Sequence, residues 1–221
     1  MAKRIPSNDL RKARASPIFA GLRINDHEMI LGLTGGMGGG KSTAARFFEE
    51  AGFRRIDSDR IVREELLLEP GVVAQIKARF PDAVDTGNTV IRTELARHVF
   101  GNDDDRVWLE ELLHPLLYGR WRALLASEAT ANWVIEVPLL FEQGLENWFD
   151  FIACVSTSSA NQLARLSERG IPQSLAEQRI SKQLPLAQKL EKADFILSND
   201  STLEALQLQV NHLAVRLSGV R

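Results

Sequence analysis

From Met29 onward, short runs of apolar residues alternate with longer segments in which apolar residues recur at helical spacing. This alternation is typical of an α/β fold, in which helices flank a sheet of parallel strands. The predicted strands cover residues 30–33, 54–56, 133–137, 151–155 and 195–197. The predicted helices cover residues 41–51, 60–67, 72–80, 93–100, 104–127, 160–168, 175–183 and 202–217. Residues 68–131 show helical patterns and no clear strand, which predicts a helical insertion between two strands of the sheet.

A glycine-rich segment lies between the first predicted strand and the first predicted helix. Gly35, Gly40, Lys41 and Ser42 fit the spacing G-x-x-x-x-G-K-[ST] of the phosphate-binding loop. Glycines allow consecutive backbone N–H groups to surround a phosphate, and the following helix adds the positive end of its dipole. The lysine can reach the β and γ phosphate oxygens, and the serine hydroxyl can bind Mg²⁺. The segment predicts binding of a nucleoside triphosphate; the alternative is a turn that only caps the helix.

Composition and charge are those of an ordinary globular protein of 221 residues, with 44% hydrophobic and 25% charged residues. The apolar runs are too short to cross a bilayer, and a net charge of −2 gives no reason to expect nucleic-acid binding. The single cysteine, Cys154, lies in an apolar run that predicts a buried thiol. We expect a cytoplasmic protein with no membrane, nucleic-acid or obligate protein partner.

Residues 1–28 differ from the rest of the chain in charge, because they carry six basic and three acidic side chains. They lack the long apolar run of a secretory signal. We interpret them as a basic N-terminal extension, either a disordered tail or upstream sequence included because a start codon was assigned too early. An organelle-targeting segment is the remaining alternative.

Acidic residues follow the second and third predicted strands, at the edge where open α/β sheets bind ligands. Asp57 and Asp59 begin a helix, and one of them is enough to cap it. The other can orient an attacking hydroxyl and accept its proton during phosphoryl transfer. Glu136 is near the end of the third strand, where it can hold a water molecule in the Mg²⁺ shell or pair with a basic neighbour.

Basic residues in two predicted helices are further candidates. Arg165 and Arg169 lie four residues apart on one helix face, ahead of a break at residues 170–172. This pattern predicts a mobile flap whose arginines close over a triphosphate; a solvated charged face is the alternative. His114 lies in the helical insertion, and the spacing of the four histidines suggests no metal site.

Taken in order, these motifs resemble the dephospho-CoA kinase family over about residues 29–210. The matching positions are the phosphate loop at 32–43, Ile-Asp-Ser-Asp at 56–59, Arg92 with Leu95, Val-Phe at 99–100, Leu-His-Pro at 113–115, Val-Pro-Leu-Leu-Phe-Glu at 137–142, Gln162 with Arg165, Arg169, Gln183 with Pro185, and Ala-Asp at 193–194 with Asn199. Apart from the phosphate loop, each motif is weak alone, whereas the ordered set is specific.

The resemblance implies a phosphate-loop NTPase-type parallel sheet flanked by helices, with a helical substrate-binding insertion at about 68–131 and a lid at about 161–190. The nucleotide core would comprise residues 29–67, 132–160 and 191–221. The implied reaction transfers a phosphoryl group from ATP to the ribose 3′-hydroxyl of dephospho-CoA. It gives CoA and ADP, the last step of coenzyme A biosynthesis, and would use Mg²⁺.

The resemblance also implies roles for individual residues, carried over by position. The implied catalytic residues are Asp59, which would orient the 3′-hydroxyl, together with Lys41 and Arg165. The implied ATP-binding residues are Gly35, Gly36, Gly38, Gly39, Gly40, Lys41, Ser42, Thr43, Arg169 and Asn199, the last toward adenine. Dephospho-CoA would contact Asp57, Arg92, His114, Pro138, Leu139, Leu140 and Glu142. Ser42 and Glu136 would hold Mg²⁺, directly or through water.

Two other functions remain open from the sequence. A nucleoside or nucleotide kinase would have the same architecture, because fold and loop alone do not identify the acceptor. A nucleotide-dependent regulator is less favoured, since no D-x-x-G follows a strand and no N-K-x-D motif for guanine occurs.

Overall fold

The computed structural model of the chain describes residues 29–219, and its central feature is a five-stranded sheet. The strands are β1 (Ile30–Gly35), β2 (Arg54–Asp57), β3 (Trp133–Glu136), β4 (Phe151–Ser156) and β5 (Phe195–Ser198). They are all parallel and lie in the order β2-β3-β1-β4-β5. The five strands predicted from the sequence are confirmed, with ends that differ by at most about two residues. The extension expected at residues 1–28 lies outside the described residues.

The helices of the described residues agree with the predicted ones at most positions. They are α1 (Lys41–Glu50), α2 (Ser58–Glu64), α3 (Pro70–Arg79), α4 (Arg92–Gly101), α5 (Asp103–Ser127), α6 (Ser159–Glu168), α7 (Gln173–Ser181), α8 (Leu186–Lys192) and α9 (Leu203–Ser218). The helix predicted at 60–67 is instead α2 followed by a 3₁₀ turn at Leu66–Leu68. The prediction omitted α8, whose buried side chain is that of a lysine, Lys189, so apolar spacing does not mark it. Within residues 29–219, no helix combines the length and apolarity needed to span a bilayer.

Residues 29–57 and 129–219 form one compact unit around the sheet. β1 lies between β3 and β4, and every one of its residues is buried. Its neighbours contribute Val134 and Ala153 to a core that α1 and α9 cover with Phe48 and Val210. Because central parallel strands are buried on both faces, they appear in the sequence as continuous apolar runs.

Residues Ser58–Glu128 form a second compact unit, which contains α2 to α5. The unit is helical apart from one antiparallel bridge between Val84 and Val90. Its core includes Trp121 and Leu117 of α5, a helix that continues through Pro115. In this unit, α2 packs against α5 and the Leu66–Leu68 turn.

Candidate active site

The segment between β1 and α1 has a backbone conformation that glycine adopts most readily. Gly38 has a φ of 73° and Gly40 a φ of 95°, both in the left-handed region. A β-carbon on Gly40 would also collide with the side-chain amide of Asn199. The helix α1 begins at Lys41, so the N–H groups of its first turn, which have no acceptor within the helix, follow this loop directly. A glycine loop joined to a helix N-terminus is an arrangement suited to an anion.

Lys41 lies over the loop that precedes it. Its ammonium donates hydrogen bonds to the carbonyl oxygens of Gly35, at 3.1 Å, and Gly36, at 3.0 Å. These contacts hold a positive charge at the loop, although Lys41 is in the helix that follows. Thr43 is half-buried in the same first turn of α1.

The carboxyl ends of β2 and β3 place Asp57 and Glu136 at paired positions in the sheet. Arg55 lies between them, with its Nη2 2.6 Å from Glu136 Oε1 and 3.6 Å from Asp57 Oδ2. Burial raises the pKa of the Glu136 carboxyl, while Arg55 and a hydrogen bond with Ser42 act in the opposite direction. The structure therefore brings Ser42 and Glu136 together and gives Glu136 the basic partner that the sequence left as an alternative.

Asn199 connects the phosphate loop to α6. Its side-chain amide donates to the carbonyl oxygen of Gly39 at 2.8 Å, and its own carbonyl oxygen accepts from Arg165 Nη2 at 2.8 Å. Arg165 Nη1 also donates to the Thr157 hydroxyl at 3.4 Å. Asn199 Oδ1 is buried and has no hydrogen-bond partner within residues 29–219. The loop, Asn199 and Arg165 thus form one hydrogen-bonded network.

Two glutamines that the sequence marked only as family positions hold the backbone of Met37. Gln162 of α6 donates to the Met37 carbonyl oxygen at 2.5 Å, and the Met37 N–H donates to Gln183 Oε1 at 3.3 Å. Gln162 is buried. A polar residue on the inner face of α6 was therefore the feature of the sequence that could have indicated this contact. Arg169, in contrast, is exposed at the end of α6, and no side-chain contact joins it to the described part of the loop.

The turn at residues 138–142 follows β3, and a buried lysine holds it in place. Lys189 Nζ donates to the Pro138 carbonyl oxygen at 2.9 Å and lies 2.7 Å from Glu142 Oε1. Leu140 is fully buried and Leu139 half-buried. The structure therefore directs the Glu142 carboxylate to Lys189 and the Leu140 side chain to the core, which the sequence did not indicate.

Asp59, Arg92 and His114 belong to the second unit. Asp59 is exposed in the first turn of α2, directly after the chain leaves β2, and Arg92 is the first residue of α4. Burial lowers the pKa of the His114 imidazole, against the opposing charge of Glu110, and the ring stacks on Tyr118 at 5.6 Å between centroids. Burial therefore favours the neutral form of the His114 imidazole, in which one ring nitrogen is a hydrogen-bond acceptor.

Comparison with known proteins identifies the family to which these residues point. A family model described as dephospho-CoA kinase matches residues 29–205. The chain belongs to the dephospho-CoA kinase family. The dephospho-CoA kinase of Geobacillus kaustophilus is 36% identical over 189 residues, which cover 82% of this chain and 93% of that protein.

Solved structures agree with this family on the fold. The crystal structure of TT1252 from Thermus thermophilus aligns with a TM-score of 0.77 and 29% identity, over 87% of this chain and 100% of that chain. A dephospho-CoA kinase from Campylobacter jejuni aligns with a TM-score of 0.63 and 24% identity, over 86% of this chain and 96% of that one. The predicted α/β fold with a phosphate-loop-type parallel sheet is confirmed.

Proposed function

We propose that the protein transfers the γ-phosphoryl group of ATP to the ribose 3′-hydroxyl of dephospho-CoA, giving CoA and ADP. The observation that carries this proposal is the dephospho-CoA kinase match across residues 29–205, which includes the glycine loop at the end of β1. A kinase rather than a regulator is favoured, because the relatives named for this activity align over most of the chain.

The phosphates of ATP are assigned to the loop of Gly35, Gly36, Gly38, Gly39 and Gly40 and to Thr43 in the first turn of α1. Backbone N–H groups of this loop and of the first turn of α1 are suited to the β and γ oxygens. Lys41 supports this assignment because its ammonium already lies at the carbonyls of Gly35 and Gly36. Arg165 is assigned to the transferred phosphoryl group, since its guanidinium hydrogen-bonds to Asn199, which itself holds the loop.

Mg²⁺ is assigned to Ser42 and Glu136. A hydroxyl and a carboxylate joined by a hydrogen bond are oxygen donors of the kind that Mg²⁺ prefers. Residues 29–219 contain no group of three or more His, Cys, Asp or Glu side chains that suits a metal ion. Mg²⁺ sites of nucleotide enzymes commonly take one or two protein ligands and complete the shell with phosphate oxygens and water. When bound, the ion supplies positive charge to the β and γ phosphate oxygens.

The acceptor residues are assigned by their positions in the family motifs. Asp59 is proposed to orient the 3′-hydroxyl and accept its proton, since it lies in the helix turn that follows the carboxyl end of β2. Asp57, Arg92, His114 and the 138–142 turn are proposed to bind the rest of dephospho-CoA. Residues 161–190 are proposed to act as the lid.

The Mg²⁺ assignment predicts the behaviour of Glu136→Gln. This change keeps the shape of the side chain and removes its charge, so the Mg²⁺ concentration for half-maximal activity should rise by about tenfold. Titration of activity with Mg²⁺ at fixed ATP measures it. Glu49→Gln is the matched control, because Glu49 also pairs with Arg55, at 4.0 Å, but is not assigned to Mg²⁺. An equal Mg²⁺ requirement in Glu136→Gln and wild type would contradict the assignment.

An acceptor assay tests the function itself. With ATP and Mg²⁺ present, we expect ADP release with dephospho-CoA to exceed that with any nucleoside monophosphate by at least about a hundredfold in kcat/KM. A 3′-deoxy analogue of dephospho-CoA is the control, because it lacks the attacked hydroxyl. Faster turnover of nucleoside monophosphates would favour the alternative kinase. ADP release that does not depend on an acceptor would favour a regulator.

A further inference from the structure

Lys189 is a charged side chain in the interior of the first unit. It lies on α8, its side chain is fully buried, and its ammonium contacts the Pro138 carbonyl oxygen at 2.9 Å and Glu142 Oε1 at 2.7 Å. Both of these partners belong to the 138–142 turn. Outside this turn, the Lys189 side chain has no other hydrogen-bond or ion-pair partner within residues 29–219.

A buried ion pair is weak evidence for stability. Removing an ammonium from water is costly, and well-packed apolar residues often stabilise such a position equally well or better. An ammonium that donates to two acceptors instead restricts where those acceptors can lie relative to each other. The position of Lys189 therefore specifies where the 138–142 turn lies.

This turn shares an edge of the sheet with the phosphate loop. β1 and β3 are neighbouring parallel strands, with Leu33 paired to Glu136, so the loops that follow both strands leave the sheet at its carboxyl edge. In open parallel sheets, ligands bind at that edge. A displacement of the 138–142 turn would therefore change the ligand-binding edge of the sheet beside the phosphate loop. It would not be confined to the packing of the turn itself.

The junction between α7 and α8 touches both loops. Gln183 Oε1 accepts from the Met37 N–H of the phosphate loop at 3.3 Å, and the next residue, Leu184, donates its N–H to Glu142 Oε1 at 2.8 Å. Adjacent residues of one short segment thus contact the loop assigned to ATP and the turn assigned to the acceptor. The two contacts can be removed separately, since one is made by the Gln183 side chain and the other by the Glu142 carboxylate.

We propose that Lys189 is a positioning residue for acceptor binding. It acts by fixing the 138–142 turn and does not itself contact substrate. The proposal rests on the proposed function, because that function supplies the acceptor. It predicts an effect on dephospho-CoA that is separate from any effect on ATP. The sequence did not indicate this role, because the partners of Lys189 are distant along the chain.

The test compares Lys189→Met with Gln183→Ala in steady-state kinetics. Methionine has a similar length and no charge, so it fills the space and removes both contacts. We expect Lys189→Met to raise the KM for dephospho-CoA by about tenfold or more, and the KM for ATP by less than about twofold. Gln183→Ala, which alters the contact to the phosphate loop, should raise the KM for ATP more than that for dephospho-CoA. Equal changes in both KM values for Lys189→Met would overturn the proposal.

Hydrogen–deuterium exchange of the free protein gives a second readout that does not need activity. We expect Lys189→Met to accelerate exchange in peptides covering residues 138–145 and to leave those covering β1 and β4 unchanged. Faster exchange across the whole sheet, or no change at the turn, would overturn the proposal. If Lys189→Met does not fold, Lys189→Met with Glu142→Gln is compared with Glu142→Gln alone, and faster exchange at residues 138–145 in the double variant is expected. Failure of wild type to phosphorylate dephospho-CoA would refute the proposed function, while the exchange comparison would still test the positioning.

Discussion

Replacing Lys41 with alanine is expected to lower kcat/KM by about a thousandfold, the size of effect seen when one charged or hydrogen-bonding group is removed from a developing negative charge. Lys41 carries the ammonium that already lies at the carbonyl oxygens of Gly35 and Gly36. Its loss should weaken ATP binding and also the stabilisation of charge during transfer. Steady-state kinetics with dephospho-CoA as acceptor measure the effect.

Two further variants separate the causes of this loss. Lys41→Met keeps the length of the side chain without the charge, so a loss similar to that of Lys41→Ala would assign the effect to the ammonium. Arg46→Ala removes a positive charge from the exposed face of the same helix, where Arg46 pairs with Glu50 at 3.7 Å, and should change kcat/KM by less than about twofold. A wild-type kcat/KM in Lys41→Ala would refute the role of the loop.

The sheet and the phosphate loop could be predicted because their determinants are local. A buried parallel strand such as β1 is a continuous apolar run, and the glycines, Lys41 and Ser42 lie within one short segment. The rule that ligands bind at the carboxyl ends of parallel strands also places Asp57 and Glu136 at that edge of the sheet. These features need no knowledge of contacts between distant residues.

The contacts that hold the candidate site residues in place could not be predicted in this way. No pattern in the sequence marks Lys189 as buried, because a lysine is rarely buried without partners and its partners are distant in the sequence. Glu142 was assigned to the acceptor by resemblance, and the structure adds that its carboxylate binds Lys189 and the Leu184 N–H. The sequence could name Glu142 but not its contacts with Lys189 and Leu184.

Asn199 illustrates the same limit. The resemblance places it toward adenine, and that role stays a prediction. The structure adds one contact of its side chain and one of its backbone. The side-chain Nδ2 donates to the Gly39 carbonyl oxygen, and the backbone carbonyl oxygen accepts from Arg165. A substitution of Asn199 would therefore disturb the phosphate loop and Arg165 together, and its effect on ATP affinity would not by itself identify an adenine contact.

Replacing Asp59 with asparagine is expected to lower kcat by about a thousandfold while the dissociation constant for ATP changes by less than about threefold. Asparagine has nearly the same shape, so the first turn of α2 is preserved, but its amide cannot accept the proton of the 3′-hydroxyl. Single-turnover measurements with saturating ATP and dephospho-CoA report the transfer step, and equilibrium titration of the free protein reports ATP affinity.

The alternative for Asp59 is that its charge only complements the dipole of α2. That role contributes less than about 1 kcal/mol to the free energy of unfolding and nothing to the transfer step. Glu64→Gln is the matched control, because Glu64 is an exposed carboxylate at the other end of α2 that pairs with Arg63 at 3.0 Å. An Asp59→Asn protein with the wild-type kcat and a slightly lower free energy of unfolding would show that Asp59 serves the helix alone. A large loss of kcat in Asp59→Asn, with none in Glu64→Gln, would place the base at this helix turn.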